Sequence, residues 1–180
     1  MGQREMRSPV LNQDIYDRLA GSLTLCDCFD ETARRLPDQR AIEVPPSRMN
    51  PTRRTLTYAM LSTRVKSLAR ILIELIEEGD EAQGDDQSVI AIYLPRSDER
   101  FLIAQLAVMW ARSAYVCLDL KAPNERLSFM ISDARPRVII TDEEHEYRLR
   151  EAWACRPSYH GEEIECPTSL RLTLEGVEME

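Results

Sequence analysis

The chain has 180 residues, 43% of them hydrophobic and 30% charged, enough apolar material for one domain with its own core. A net charge of −8, with Arg spread along the chain, argues against a nucleic-acid surface or an anionic membrane as partner, because both reward gathered Lys and Arg. No apolar run approaches the roughly 20 residues that cross a bilayer, and the first residues lack the long apolar stretch of a secretory signal, so the expected location is cytoplasmic.

Residues 1–22 have weak periodicity and are expected as an N-terminal arm. Thr24 then caps a helix, with Asp27 at the capping-box position and Leu25, Phe29, Ala33 and Leu36 along one face; Pro37 stops it. Residues 41–44 and 54–57 read as two short strands, an antiparallel pair around a Pro-rich loop. Thr57 caps the next helix, whose Leu61, Val65, Leu68, Leu72 and Leu75 recur at three and four residues as one apolar stripe. An acidic, turn-forming loop follows from Gly79, without the spacing of a calcium loop.

From Ser88 the pattern alternates strand and helix. Residues 89–94 are a continuous apolar run, as in a parallel strand covered on both faces. Ser97 or Asp98 caps a helix reaching about Ala111, with Phe101, Leu102, Leu106 and Met109 inward. Residues 114–118 form the next buried strand. Pro123 fits the first position of a helix with Leu127, Met130, Ile131 and Ala134 as its apolar face, and Pro136 ends it before the strand 138–141. This is the pattern of two crossover units in an open, mainly parallel α/β sheet flanked by helices.

Ligands of such sheets bind outside the carboxyl ends of the strands. Asp119 lies at one such end. It is either a site residue or a turn aspartate that satisfies backbone donors. The five cysteines, Cys26, Cys28, Cys117, Cys155 and Cys166, read as reduced thiols. Cys26 and Cys28 point in different directions on a helix, and His145 and His160 stand at no ligand spacing relative to them, so no metal site is expected. The fingerprint of a dinucleotide fold, G-x-G-x-x-G, does not occur.

Several stretches together resemble the N-terminal part of an adenylate-forming (AMP-binding) enzyme, of the nonribosomal-peptide-synthetase amino-acid adenylation type. The family's first motif, Leu-Thr-Tyr-x-Glu-Leu, appears as Leu56, Thr57, Tyr58, Ala59, Met60, Leu61. The second, roughly Leu-Lys-Ala-Gly-x-Ala-Tyr-Val-Pro-Leu-Asp-Pro, appears from Met109 through Ala114, Tyr115, Val116, Cys117, Leu118 and Asp119 to Leu120. Pro123, Glu125, Arg126 and Leu127, then Asp133, Ala134 and Pro136, then the strand ending in Thr141, continue it in order. The departures carry physical content. Met60 replaces the capping-box Glu, which loses half the box at a cost of about 1 kcal/mol or less. Arg112 replaces Gly, unfavourable if the turn needs a positive φ. Cys117 and Leu120 replace prolines.

The resemblance implies the N-terminal subdomain of the adenylate-forming fold over residues 23–141 and an acidic C-terminal segment, 142–180, truncated relative to the family. It implies ATP and Mg for a complete member. It also implies a Gly-rich Ser/Thr loop ending near Pro-Lys-Gly, which cradles phosphate with backbone N–H groups. After Thr141 the chain offers Gly161 and Gly176, no Lys and a run of carboxylates. No catalytic, cofactor-binding or metal-binding residue of the family maps onto this chain, and no cofactor is expected in it. The expected function is therefore the N-terminal fragment of an ATP-dependent amino-acid-adenylating ligase, inactive alone. Its expected partner is the remainder of the adenylation domain or a carrier-protein domain. The alternative is a noncatalytic binding or regulatory remnant.

Overall fold

A computed structural model describes residues 24–46, 51–78, 88–154, 167–173 and 177–179. The expected arm 1–22, the acidic loop 79–87, and Cys155, His160 and Cys166 lie outside the described residues.

Helix α1 (Leu25–Arg35) starts with the expected capping box. Asp27 N–H donates to Thr24 Oγ1 (3.2 Å), and Thr24 N–H donates back to Asp27 Oδ2 (2.9 Å). Ala33 is buried and Phe29 packs on the core, but Leu25, expected inward, is 70% exposed. It occupies the first helical position, ahead of the part of the helix that packs on the core through Phe29 and Ala33. Strands β1 (Arg40–Val44) and β2 (Arg54–Thr57) pair antiparallel. Thr57 then caps helix α2 (Tyr58–Glu78), accepting from Met60 N–H at 3.3 Å. This is the half of the box that survives the Met60 replacement. Leu61, Val65, Leu68 and Leu72 are buried and Leu75 packs at the margin, so the stripe faces the core as its period requires.

The main sheet contains β3 (Val89–Ile92), β4 (Ala114–Cys117), β5 (Val138–Thr141), β6 (Thr168–Leu172) and β7 (Val177–Met179), in the order β4-β3-β5-β6-β7. The first four are parallel, and β7 closes the far side antiparallel. Helices α3 (Glu99–Trp110), α4 (Asn124–Ala134) and α5 (Glu143–Ala154) complete the described elements. Side chains alternate across the sheet. Ile90, Ile92, Val138, Ile140 and Leu170 meet α2 and α3. Ala91, Tyr93 and Ile139 meet Leu127 and Ile131 of α4 and Leu149 and Ala152 of α5.

Several sequence expectations are corrected. Strand β3 stops at Ile92 rather than at residue 94. Tyr93 and Leu94 stay buried on opposite faces, but Pro95, which has no N–H, follows them. Strand β4 ends at Cys117 and is not a buried strand. Among the described residues it is an edge, and Tyr115 on it is 39% exposed. Leu102 on α3 points outward, while Ile103, Ala104, Ala107 and Val108 face in. Small residues let the helix approach closely, so side-chain size misled the assignment. Helix α3 ends at Trp110, and Pro123 is the N-cap of α4 rather than its first residue. Helix α5 and strands β6 and β7 went unassigned from sequence. In α5 four charged residues, Glu143, Glu144, Glu146 and Arg148, precede the first buried apolar one, Leu149.

Candidate functional site

The carboxyl ends of β3, β4 and β5 meet at one rim, where Asp98, Asp119 and Asp142 arrive from three connections. Asp119 Oδ1 accepts from Lys121 N–H at 2.9 Å, and the Asp119 carbonyl accepts from Ala122 N–H at 3.1 Å. The carboxylate is thus engaged in its own turn, which is the structural one of its two sequence readings.

The rim is organised instead around Asp98, one of the two cap candidates read from the sequence, and around arginines and acids that the sequence did not single out. Asp98 caps α3, its Oδ1 accepting from Arg100 N–H (2.9 Å) and from Arg100 Nε (3.0 Å), while Arg100 Nη2 donates to Oδ2 (2.9 Å). Arg54 reaches from β2 to place Nη2 at 2.7 Å from Oε2 of the buried Glu99. Arg100 Nη2 also lies 3.2 Å from Asp142 Oδ2. The other oxygen of Asp142 caps α5 through His145 N–H (3.1 Å) and holds His145 Nδ1 at 2.5 Å. The His145 ring sits edge-on to Tyr93, with centroids 5.8 Å apart. A buried acid requires an opposite charge or hydrogen-bond donors, and each of these acids has both.

The electrostatics follow from that pairing. Burial pushes the Asp98 carboxyl up, but the Arg100 hydrogen bonds and the Arg100 and Arg54 charges outweigh it and leave it below its usual range. Burial also pushes the Tyr93 phenol up, against the opposing pull of Arg148. Arg148 gives its guanidinium to the carbonyls of Leu120 and Ala122, tying α5 to the turn after β4. Deeper along α5, the buried Glu146 pairs with Arg150 (2.8 Å) and with Arg171 of β6 (2.5 Å).

This network joins β2, α3, β5 and α5 by neutralising its own charges. Its cations face protein carboxylates. All six glycines fall outside the described residues, so the described rim offers no glycine-rich amide cradle. The described residues therefore do not fit a magnesium-triphosphate. Asp142 was legible as an Asp at a strand end three residues before a histidine, the spacing of a helix cap. Its partner Arg100 was not, because the two meet only through the sheet.

The sequence model described as AMP-binding enzyme matches residues 29–170. The chain is 36% identical over 127 residues to N-(5-amino-5-carboxypentanoyl)-L-cysteinyl-D-valine synthase of Amycolatopsis lactamdurans, covering 71% of this chain and 3% of that protein. It is 34% identical over 150 residues to the dimodular nonribosomal peptide synthase of Bacillus subtilis (strain 168), covering 80% of this chain and 6% of that one. Among solved structures, the Klebsiella oxytoca NpsA N-terminal subdomain in complex with anthranilyl-AMSN superposes with a TM-score of 0.50 at 24% identity, over 66% of this chain and 27% of that one. That likeness concerns the fold. The chain spans only a small part of the length of the curated relatives it matches.

Proposed function

This chain belongs to the AMP-binding enzyme family, and we propose that it is the N-terminal part of a cytoplasmic, nonribosomal-peptide-synthetase-type ligase that activates an amino acid. The complete enzyme joins the acid's carboxylate to AMP, pyrophosphate leaves, and the acyl group passes to a thiol or amine. The remainder of the adenylation domain and a carrier-protein domain are the partners this reading implies. ATP and Mg belong to the complete enzyme.

By itself the 180-residue chain does not adenylate. One observation supports this: at the carboxyl rim, Arg54 and Arg100 are turned to the protein carboxylates Glu99, Asp98 and Asp142. Transferring AMP needs preorganised donors aimed at charge that develops on the phosphates, and losing one such donor typically costs about 3 to 4 kcal/mol. The reacting groups must also be held together in one geometry.

The test is pyrophosphate exchange with a panel of amino acids, beside calorimetric titration with Mg-ATP. Exchange at the level of a no-protein control and no measurable ATP binding are expected. Amino-acid-dependent exchange well above that control, or micromolar ATP affinity, would overturn the reading.

A further inference from the structure

Helix α1 keeps most of its hydrogen bonds to itself. Thr24 and Asp27 cap it, Thr32 Oγ1 donates to the Cys28 carbonyl at 2.7 Å, and Glu31 is held by Arg34 and Arg35. Ala33 is its one buried residue, and Phe29 packs on the core from a half-buried position. Among the described residues, Asp30 is the one side chain of α1 with a polar contact to another helix. Its Oδ2 accepts from Trp110 Nε1 of α3 at 3.2 Å, and its Oδ1 lies 2.9 Å from Lys66 Nζ of α2. Lys66 in turn stands over the Trp110 ring, with Nζ 5.5 Å from the ring centre. One carboxylate thus pins α1 to two helices at once.

Immediately after α1 the chain is fixed by its backbone. Tyr58 N–H donates to the Gln39 carbonyl (3.0 Å) and Ala59 N–H to the Pro37 carbonyl (2.9 Å), which fastens residues 37–39 to the head of α2. The helices on the far side of this point are held differently from α1. Leu61, Val65, Leu68 and Leu72 of α2 and Ile103, Ala104, Ala107 and Val108 of α3 share one buried cluster. Segments with few buried apolar contacts open at lower free energy than those in a core. An eleven-residue helix is also too short to persist once it leaves its support. Opening of α1 therefore frees its backbone amides, and it stops where residues 37–39 meet α2.

We propose that α1 is a strap that opens and shuts over α2 and α3 while the rest of the described fold stays intact, with Asp30 as its latch. The side chains of Lys66 and Asp30 are 42% and 34% exposed, so salt screens their attraction. The faces of α2 and α3 beneath the strap are covered or uncovered according to this one contact.

Hydrogen exchange of the 180-residue chain, followed by mass spectrometry on peptides from α1, α2 and α3, tests this. In wild type the α1 amides should exchange faster than those in the middle of α2 and α3, and raising salt from about 20 mM to about 500 mM should speed α1 alone. Asp30→Asn should speed α1 about two- to fivefold at low salt, leave α2 and α3 unchanged, and lose most of the salt response. Lys66→Met removes the partner charge without altering α1, keeps an apolar stem beside Trp110, and should have the same effect; it carries the test if the Asn variant misfolds. Helix α1 exchanging in step with α2 and α3, a folded variant that speeds all three helices together, or one that leaves α1 at its wild-type rate would each overturn the proposal.

Discussion

Arg112 adopts φ 57 in the turn between α3 and β4. The left-handed region costs a residue with a Cβ about 1 to 2 kcal/mol, and the family's motif has Gly at this place. The sequence therefore carried a conditional statement about backbone shape, and the structure meets its condition. Arg112→Gly should stabilise the chain by about 1 kcal/mol or less, because glycine's greater freedom in the unfolded state offsets part of the relief. Arg112→Ala removes the same side chain without relieving the backbone, so it serves as the control. Urea denaturation should show a higher midpoint for the glycine variant than for the alanine variant, and coincident midpoints would refute strain at this turn. Arg135, at φ 44, caps α4 in the same conformation, but no motif residue pointed to it.

At the scale of elements, legibility tracked how locally each signal was written. Helix α2 was readable because its stripe and its cap both lie in one stretch of chain. Leu68 is fully buried in the middle of that stripe. Leu68→Ala should cost about 2 to 5 kcal/mol, by transfer plus cavity, and lower the denaturation midpoint accordingly. An unchanged midpoint would contradict its place in the core. The parallel strands were readable from their apolar runs. Which of them would be an edge was not, since the order β4-β3-β5 depends on where each crossover lands. Strand β4 thus has the composition of a covered strand without being one among the described residues. The end of the sheet was missed for a different reason. Helix α5 begins in a run of carboxylates, and it is fixed by the pairing of Glu146 with Arg171 across to β6, a contact between residues 25 apart in sequence. The rim followed the same rule. Asp119 stood out because a strand pointed to it, whereas the Asp98–Arg100–Asp142–His145 chain exists only once β3 and β5 are neighbours.

Across the whole molecule these pairings make stability depend on acid. Asp27 is held below the usual carboxylate range by its hydrogen bonds with Thr24, and Glu31 is held down to about 2 by Arg34 and Arg35. Asp98 is also lowered, since its Arg100 hydrogen bonds and the Arg100 and Arg54 charges outweigh its burial. A carboxylate whose folded pKa is depressed contributes stability that is present above its unfolded pKa, about 4, and lost as pH falls through the folded value. Folding stability should therefore be level above about pH 5 and fall between about pH 4 and pH 2. Asp98 links β2, α3 and, through Arg100, β5, so it tests whether the rim takes part in this fall. Asn retains capping ability at the head of α3 but carries no charge. Asp98→Asn should lower the denaturation midpoint at pH 7, and the gap from wild type should narrow as pH falls below the ordinary carboxylate range and the wild-type carboxylate also loses its charge. Urea titrations at stepped pH measure both curves. If they run parallel through the acid range, the charge on Asp98 contributes nothing to the fold, and the ion pairs at the rim do not hold it.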